Sequence, residues 1–503
     1  MSRTIAFLKN TSSAALLQIT TMFVGFFIPR IIISIYGSEI NGLVSSITQF
    51  IAYFNLVEAG ISSAAVWALY RPLAEHDYKT LSAIIVAAKN FYNKAGYIFI
   101  SLTFGLAIIY PIFINVHLLT YLEVFLLVLI LGASGALEFF TLAKYRVLLT
   151  ADQKAYVISI ASVCAIILNA LIIVILAYLK FNIVFVRFIA LLSVFLRSVI
   201  LYTYVRKNYK FINYNQEPDE NKLNKRWDAM FSQLLGVVQS GAPIILITIF
   251  SDLNMVSIYT VFHLVIGGIT AMLGIFINGL SASFGEIIIK NEINILRKIY
   301  NEFELGYYML ITVVYSVAFI MIMPFIRVYT KNIADISYDF PIIGFLMVLN
   351  GLLYNLKTPQ GMMVISAGWY KETKVQTIIQ ALILVIVGSI CGHYWGIFGI
   401  LFGGILSNIY RNIDLAFFIP IYLLKINPRK TIIRMLFVLC VSILLYIPFY
   451  FFPINAENIF EWCLNALLIL FYVIVVVVFI TFFTEKKTLY EIVKRIYGVR
   501  NGK

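Results

Sequence analysis

Long apolar stretches alternate with short polar connections along nearly all of this 503-residue chain. A helix needs about 20 mostly apolar residues to cross the hydrocarbon core of a bilayer. Fourteen stretches reach that length, over residues 11–36, 40–69, 95–116, 121–146, 156–179, 184–205, 232–251, 254–285, 305–328, 341–366, 375–393, 396–424, 432–452 and 461–484. Some run well past it, which predicts tilted helices or helices that project beyond the hydrocarbon. The pattern therefore predicts an all-α polytopic membrane protein with about 14 transmembrane helices.

The connections differ in charge, and the difference sets topology. Of 38 Lys and Arg, 30 lie in or beside every second connection, three (Lys180, Arg327 and Lys331) in the alternate ones, and five inside apolar stretches. Basic residues stay on the cytoplasmic side of a membrane, so both termini of this multi-pass chain are expected in the cytoplasm. Composition excludes a water-soluble fold: 61% of residues are hydrophobic, 12% are charged, and mean hydropathy is +0.93. The net charge of +14 is spread over eight inner segments, which suits membrane lipids with anionic headgroups and makes nucleic acid an unexpected partner. The amphipathic tail Thr488–Ile496 is expected on the inner surface. The first apolar stretch is too long for a cleavable signal.

Little in the connections suits catalysis. Each outer connection is short, and the larger inner ones, Arg71 to Lys94 and Arg206 to Phe231, are too small for an independent nucleotide-binding domain. The phosphate-cradling GxxxxGK[ST] pattern is absent, the only Gly-Lys pair being Gly502-Lys503, and so is a DxD acidic pair. Cys164, Cys391, Cys440 and Cys463 sit in apolar stretches, and His76, His117, His263 and His393 are scattered, so no metal site is expected. The chain reads as a non-enzyme without catalytic residues or a cofactor.

The halves of the chain resemble each other. A slide of 214 positions lays Pro29 to Tyr36 over Pro243 to Phe250, with Arg30 against Ile244 as the one dissimilar pair; a slide of 216 lays Leu148 to Ala151 over Val364 to Ala367. Six spans per repeat is an even number, so the repeats are parallel, related by an axis along the membrane normal. The expected organisation is an N-terminal lobe over 1–210, a cytoplasmic linker over 211–231, a C-terminal lobe over 232–428, and two appended helices with a basic tail over 429–503. Pro29 and Pro243 are matching hinge candidates, and rocking of two lobes about a central path is the default mechanism.

Charges inside spans are costly and mark function or pairing; a central Arg or Lys costs roughly 2.5 to 3.5 kcal/mol on insertion scales. Arg30, Arg187, Arg197, Lys357 and Arg411 are the five. Arg30 follows the Pro29 kink, Arg197 lies deep in its span, and Lys357 sits in the polar run Asn355 to Gln360. Arg411 is three residues from Asp414, a spacing that serves an ion pair or a site equally. Arg187 lies near an outer end, where snorkelling to headgroups is the plainer reading. Cations facing one another across a cleft suit a diphosphate, whose oxygens accept charge-assisted hydrogen bonds; Arg30, Arg197, Lys357 and Arg411 are the candidate substrate-binding set. Glu58, Glu138 and Asp414 are candidates for a coupling H+ or Na+, or for structural partners of arginine. The last two spans look lipid-facing on nearly all sides, and they either flank an opening for a lipid tail or brace one lobe.

Several local runs carry a family likeness. Tyr36-Gly37-Ser38-Glu39-Ile40-Asn41-Gly42-Leu43, then Leu56-Val57-Glu58-Ala59-Gly60-Ile61, Ala68-Leu69-Tyr70-Arg71-Pro72-Leu73-Ala74, Tyr145-Arg146-Val147-Leu148 with Ala151-Asp152-Gln153-Lys154, and Ser366-Ala367-Gly368-Trp369-Tyr370-Lys371 stand in the chain. With them the chain resembles the polysaccharide (O-antigen and capsule repeat-unit) flippase branch of the multidrug/oligosaccharidyl-lipid/polysaccharide (MOP) exporter superfamily. That resemblance implies movement of undecaprenyl-diphosphate-linked oligosaccharide from the inner to the outer leaflet through a cationic cavity, with ion coupling and with polysaccharide polymerase machinery as a further partner. An ion-coupled exporter of organic cations and a flippase for the peptidoglycan precursor lipid II remain alternatives. A membrane polymerase would need a large outer loop bearing catalytic residues.

Overall fold

The computed structural model describes residues 3–58, 61–219 and 226–500. Its elements are helical: α1 (Arg3–Tyr36), α2 (Ser38–Phe54), α3 (Ile61–Glu75), α4 (Tyr78–Phe113), α5 (Tyr121–Leu137), α6 (Ala143–Ala151), α7 (Ala155–Tyr178), α8 (Ile183–Asn208), α9 (Arg226–Phe250), α10 (Leu253–Ile289), α11 (Ile293–Tyr329), α12 (Pro341–Leu356), α13 (Thr358–Ala367), α14 (Lys374–Trp395), α15 (Ile397–Phe418), α16 (Arg429–Phe451) and α17 (Ile459–Arg500). Among the described residues there is no strand. Backbone groups in hydrocarbon must be satisfied within the chain, which favours helices throughout.

Twelve of these segments are long and apolar enough to cross a membrane, so the chain is a multi-pass membrane protein. The other two expected spans are also helices. α9 has a shorter apolar part, Gly236–Phe250, and α15 carries Arg411 and Asp414. Four expected spans are interrupted among the described residues: a 3-10 turn, Asn55–Glu58, follows α2; a π turn, Glu138–Leu142, joins α5 to α6; Lys357 separates α12 from α13; and a π segment, Ile419–Leu424, ends α15. Hydropathy follows depth and passes straight through such breaks.

Local chemistry fixes several helix starts. Thr120 and Glu123 form a reciprocal capping box at α5, Asp77 accepts from Thr80 at α4, and Asn182 accepts from Val184 at α8. Gly396 turns α14 into α15 at φ 54°, and a Cβ on Gly399 would lie 2.0 Å from the Cys391 carbonyl oxygen. Glycine thus lets this hairpin close to backbone contact, as small residues do between membrane helices.

Contacts divide the chain into two compact units, Met1–Ser257 and Ile258–Lys503. In the first, α1 packs on α7, α7 on α8, α4 on α5, and α5 on α8. α9, which the repeat counts with the second lobe, packs on α2 and α3; Thr248 on it donates to Ser46 at 2.8 Å. Pro29 and Pro243 lie inside α1 and α9, and both helices run on through them. Since proline removes one helical hydrogen bond, each is a weak point in an otherwise continuous rod.

In the second unit, α11 is the central helix, packed by α12, α16 and α17. α16 and α17 are not lipid-facing on nearly all sides, as their composition suggests. Val441, Leu445, Ile469, Val473 and Val477 form a buried stripe that packs with Ile320 and Met321 of α11, while Phe460, Phe471 and Phe483 remain exposed. A wholly apolar helix shows no periodic contrast, so the packed side is invisible in its sequence. α17 kinks at Glu485, where φ is −136°.

Candidate functional site

Four charged side chains from four separate segments meet inside the first unit. Glu58, ending the 3-10 turn, accepts from one terminal nitrogen of Arg146 on α6 at 2.9 and 3.0 Å. Arg197 on α8 donates to Glu138 at 2.6 Å, and the other Arg146 nitrogen lies 3.9 Å from the second Glu138 oxygen. The order Glu58–Arg146–Glu138–Arg197 is electrically neutral, which is how ionised groups persist in a low-dielectric bundle.

The π turn sets this geometry. Glu138 opens it, and the wider turn ends with Ala143 donating to the Glu138 carbonyl. Thr141, in the same turn, donates to Leu137 and shares a 2.8 Å bond with Ser198 of α8. One wide turn re-aims the residues that follow it, and such turns recur at functional sites. Here it lets Glu138 at its start and Arg146 on the following helix share one cluster.

Beside the cluster lies a cavity of 390 Å3 between α2, α5, α7 and α8. Its polar lining is Thr48, Asn55, Ser134, Asn169 and Ser193, and its charged lining is Glu138 and Arg187. Arg187 stands ten residues before Arg197 on α8, about 15 Å along the axis. No carboxylate pairs with Arg187 among the described residues, and its buried Nε has no hydrogen-bond partner; the Nε of Arg197 is likewise buried and unpartnered. The cavity therefore holds one compensated acid and one uncompensated cation among neutral hydrogen-bonding groups.

The second unit arranges its charges differently. Lys357 sits at the α12–α13 break and donates to Asn408 at 2.7 Å, with its ammonium 4.8 Å from the Tyr354 ring centre. Asn408 also donates to Asn350 at 2.8 Å. Arg411 and Asp414 pair at 2.6 Å on one face of α15, as their spacing allows. Apart from these, Glu304 of α11 accepts from Tyr300, Gln360, Thr431 and Arg434, at 2.8, 3.0, 2.8 and 2.7 Å. Arg434 also grips Glu485 with two nitrogens, at 2.5 and 2.6 Å. This cluster fixes α16 and the kink of α17 to α11.

The proposed substrate cations thus occupy unlike settings. Arg197 and Arg411 are engaged by acids, Lys357 by an amide, and Arg30 is exposed on α1. Arg187 does line a cavity. Arg146, counted by its sequence position as a topology charge, belongs to the ion cluster. Its pairing with Glu58 spans 88 residues, a relation that apolar periodicity does not encode. The buried network of Glu304, Arg434 and Glu485 was equally hidden, because Arg434 and Glu485 bracket their apolar runs like ordinary end charges.

No family model and no curated relative matches the sequence. Solved structures do match in fold. The lipid II flippase MurJ in an inward closed conformation aligns with a TM-score of 0.69 at 14% identity, over 93% of this chain and 99% of that one. An inward-facing multidrug resistance MATE family transporter of the MOP superfamily aligns with a TM-score of 0.65 at 15% identity, over 85% and 99%. A MOP superfamily transporter from Pyrococcus furiosus, described by a binding pocket of reverse polarity, aligns at 0.53 and 16% identity, over 84% and 95%. The chain therefore has the fold of MOP-superfamily transporters, shared with both MATE and MurJ structures.

Proposed function

We propose that this chain is a transporter that flips undecaprenyl-diphosphate-linked oligosaccharide from the inner to the outer leaflet of a bacterial cytoplasmic membrane, for assembly of a surface polysaccharide. One observation carries the reading. Each unit holds an intramembrane cation with no carboxylate partner among the described residues, Arg187 in the first and Lys357 in the second. An unpaired cation in such a setting is costly unless an anion visits it. A carrier of organic cations needs the opposite sign. The neutral hydrogen-bonding groups beside Arg187 suit sugar hydroxyls as well as phosphate oxygens.

Both termini are assigned to the cytoplasm by the distribution of basic residues. Coupling to H+ or Na+ is assigned to Glu58, Glu138 and Asp414, each of which accepts from an arginine and would be free to take a cation whenever that arginine turned to substrate. Export of lipid II shares the diphosphate headgroup and differs in the sugars. The test is deletion of the gene in its native host, followed by measurement of lipid-linked oligosaccharide and lipid II on each membrane face. Oligosaccharide trapped on the inner face with lipid II normally exported supports the proposal; trapped lipid II replaces it with the peptidoglycan reading, and normal export of both removes it unless a second transporter is found.

A further inference from the structure

We infer that the cleft between α10, α11 and the tail of α17 holds one acyl chain of an amine-bearing zwitterionic phospholipid of the inner leaflet, phosphatidylethanolamine being the simplest, with its ammonium on Glu302 and its phosphate on Arg495. The inference goes beyond the transport reading and does not depend on which substrate is carried. The cleft has a volume of 540 Å3 and lies wholly within the second unit, in the size range of small-ligand pockets. Lys290, Arg297 and Lys298, at and between the neighbouring ends of α10 and α11, assign it to the cytoplasmic side.

Its walls are apolar. Phe284 of α10 meets Phe303 of α11 with ring centres 5.8 Å apart, and Tyr307 stands 5.8 Å beyond Phe303. Ile492 and Arg495 of the tail close the remaining side. Gly306 of α11 also lines the cleft, and a Cβ built on it would meet no atom within 4 Å. Glycine weakens a helix interior, and no neighbour requires it at this position; the gap it leaves is room for a ligand.

Among the described residues the charged lining is Glu302 and Arg495. The Glu302 side chain is 6% exposed, and its Oε2 lies 2.8 Å from the Arg495 Nε. That contact falls off the N–H axis, so this buried oxygen receives no hydrogen bond, a costly state for a carboxylate. Arg495 keeps 45% of its side chain exposed and has room to turn outward. The asymmetry selects the headgroup. An ammonium supplies the donor that Glu302 lacks and a phosphate gives Arg495 an acceptor, so both charges stay paired after the exchange. A diphosphate brings no cation for Glu302 and would strand it.

The experiment adds phosphatidylethanolamine, phosphatidylcholine or phosphatidylglycerol with identical acyl chains, or geranylgeranyl diphosphate, to the delipidated full chain in detergent, and counts bound lipid by native mass spectrometry. The tightest site of wild type should prefer phosphatidylethanolamine about tenfold over the other two phospholipids. Glu302→Gln should abolish that preference and leave phosphatidylcholine binding unchanged, while Gly306→Leu, which fills the cleft, should weaken all three; melting temperatures identify folded variants. Equal binding of the three phospholipids by wild type would reduce the cleft to ordinary boundary lipid and overturn the site. So would a folded Glu302→Gln that keeps the preference, or a folded Gly306→Leu that binds like wild type; if Gly306→Leu does not fold, Glu302→Gln decides alone. Geranylgeranyl diphosphate bound more tightly than phosphatidylethanolamine, and lost in Gly306→Leu, would give the cleft to a substrate tail instead.

Discussion

Arginine–glutamate pairs are built into both units, but the Glu138–Arg197 pair of the first borders open space and the Glu304–Arg434 pair of the second is sealed. Glu138, with 37% of its side chain exposed, joins Arg197 at the rim of a cavity. Glu304 and Arg434, at 3% and 4%, are enclosed by Tyr300, Tyr308, Gln360 and Thr431. The same chemistry therefore does different work. A sealed network with every oxygen occupied fastens helices, whereas a pair at a cavity edge leaves room for a ligand to exchange partners.

Mutation should separate the two regions. The largest effect is expected from Arg434→Ala, which leaves Glu304 as a buried acid without a counter-charge and Glu485 with Lys430 as its remaining ion-pair partner; loss of one member of a buried pair typically costs about 3–5 kcal/mol. Thermal unfolding in detergent should show a steep drop, and the triple variant Arg434→Met, Glu304→Leu, Glu485→Leu should recover much of it. Failure of the triple to recover would mean that the network positions α16 and α17 in a way apolar packing cannot replace.

Next comes Arg187→Ala, with the opposite signature. Removing an uncompensated cation from a membrane span should leave stability unchanged or raised, while substrate flipping falls at least tenfold, since bidentate pairing to phosphate is lost. A fall in melting temperature equal to that of Arg434→Ala would show Arg187 to be a structural residue and dissolve the contrast.

A smaller effect is expected from Glu138→Gln. It leaves Arg197 and Arg146 with weaker partners, so modest destabilisation should accompany a change in the dependence of flipping on an ion gradient. Unaltered ion dependence in that variant would remove Glu138 from coupling.

The smallest effect belongs to the exposed pair of Glu286 and Lys290 at the end of α10. Hydrogen bonding to Lys290, with its positive charge, lowers the Glu286 carboxyl below its ordinary range. A depressed carboxyl contributes stability above its unfolded value and loses it as pH falls through the folded one. Glu286→Gln should therefore cost a small amount of stability that is constant between pH 6 and pH 8 and fades as pH falls through the carboxyl's range; a large loss at neutral pH would imply a role beyond a surface pair.

Much of this fold was legible in the chain. Apolar runs of membrane length located the helices, because a bilayer imposes one length and one polarity on every span. The repeat of Pro29 and Pro243 placed matching weak points in α1 and α9. What hydropathy missed was the break inside a run: the π turn at Glu138 lies in unremarkable apolar sequence, whereas the break at Lys357 announced itself through Thr358-Pro359. Azimuth was missed as well. Arg187 and Arg197 look alike on a hydropathy plot, and only packing shows that one meets Glu138 and the other meets open space. Arg146 was misread because a charge near the end of a span serves topology and pairing equally well.

The most direct measurement of the central claim is flipping itself. Purified chain would be reconstituted into liposomes with a fluorescent undecaprenyl-diphosphate-linked oligosaccharide, and the outward fraction followed by an impermeant quencher in wild type and in Arg187→Gln. The account predicts rapid equilibration with wild type and protein-free rates with the folded variant. Equal flipping by both would contradict a cationic cavity as the substrate path, and no flipping by either, under an imposed H+ or Na+ gradient, would contradict the flippase assignment.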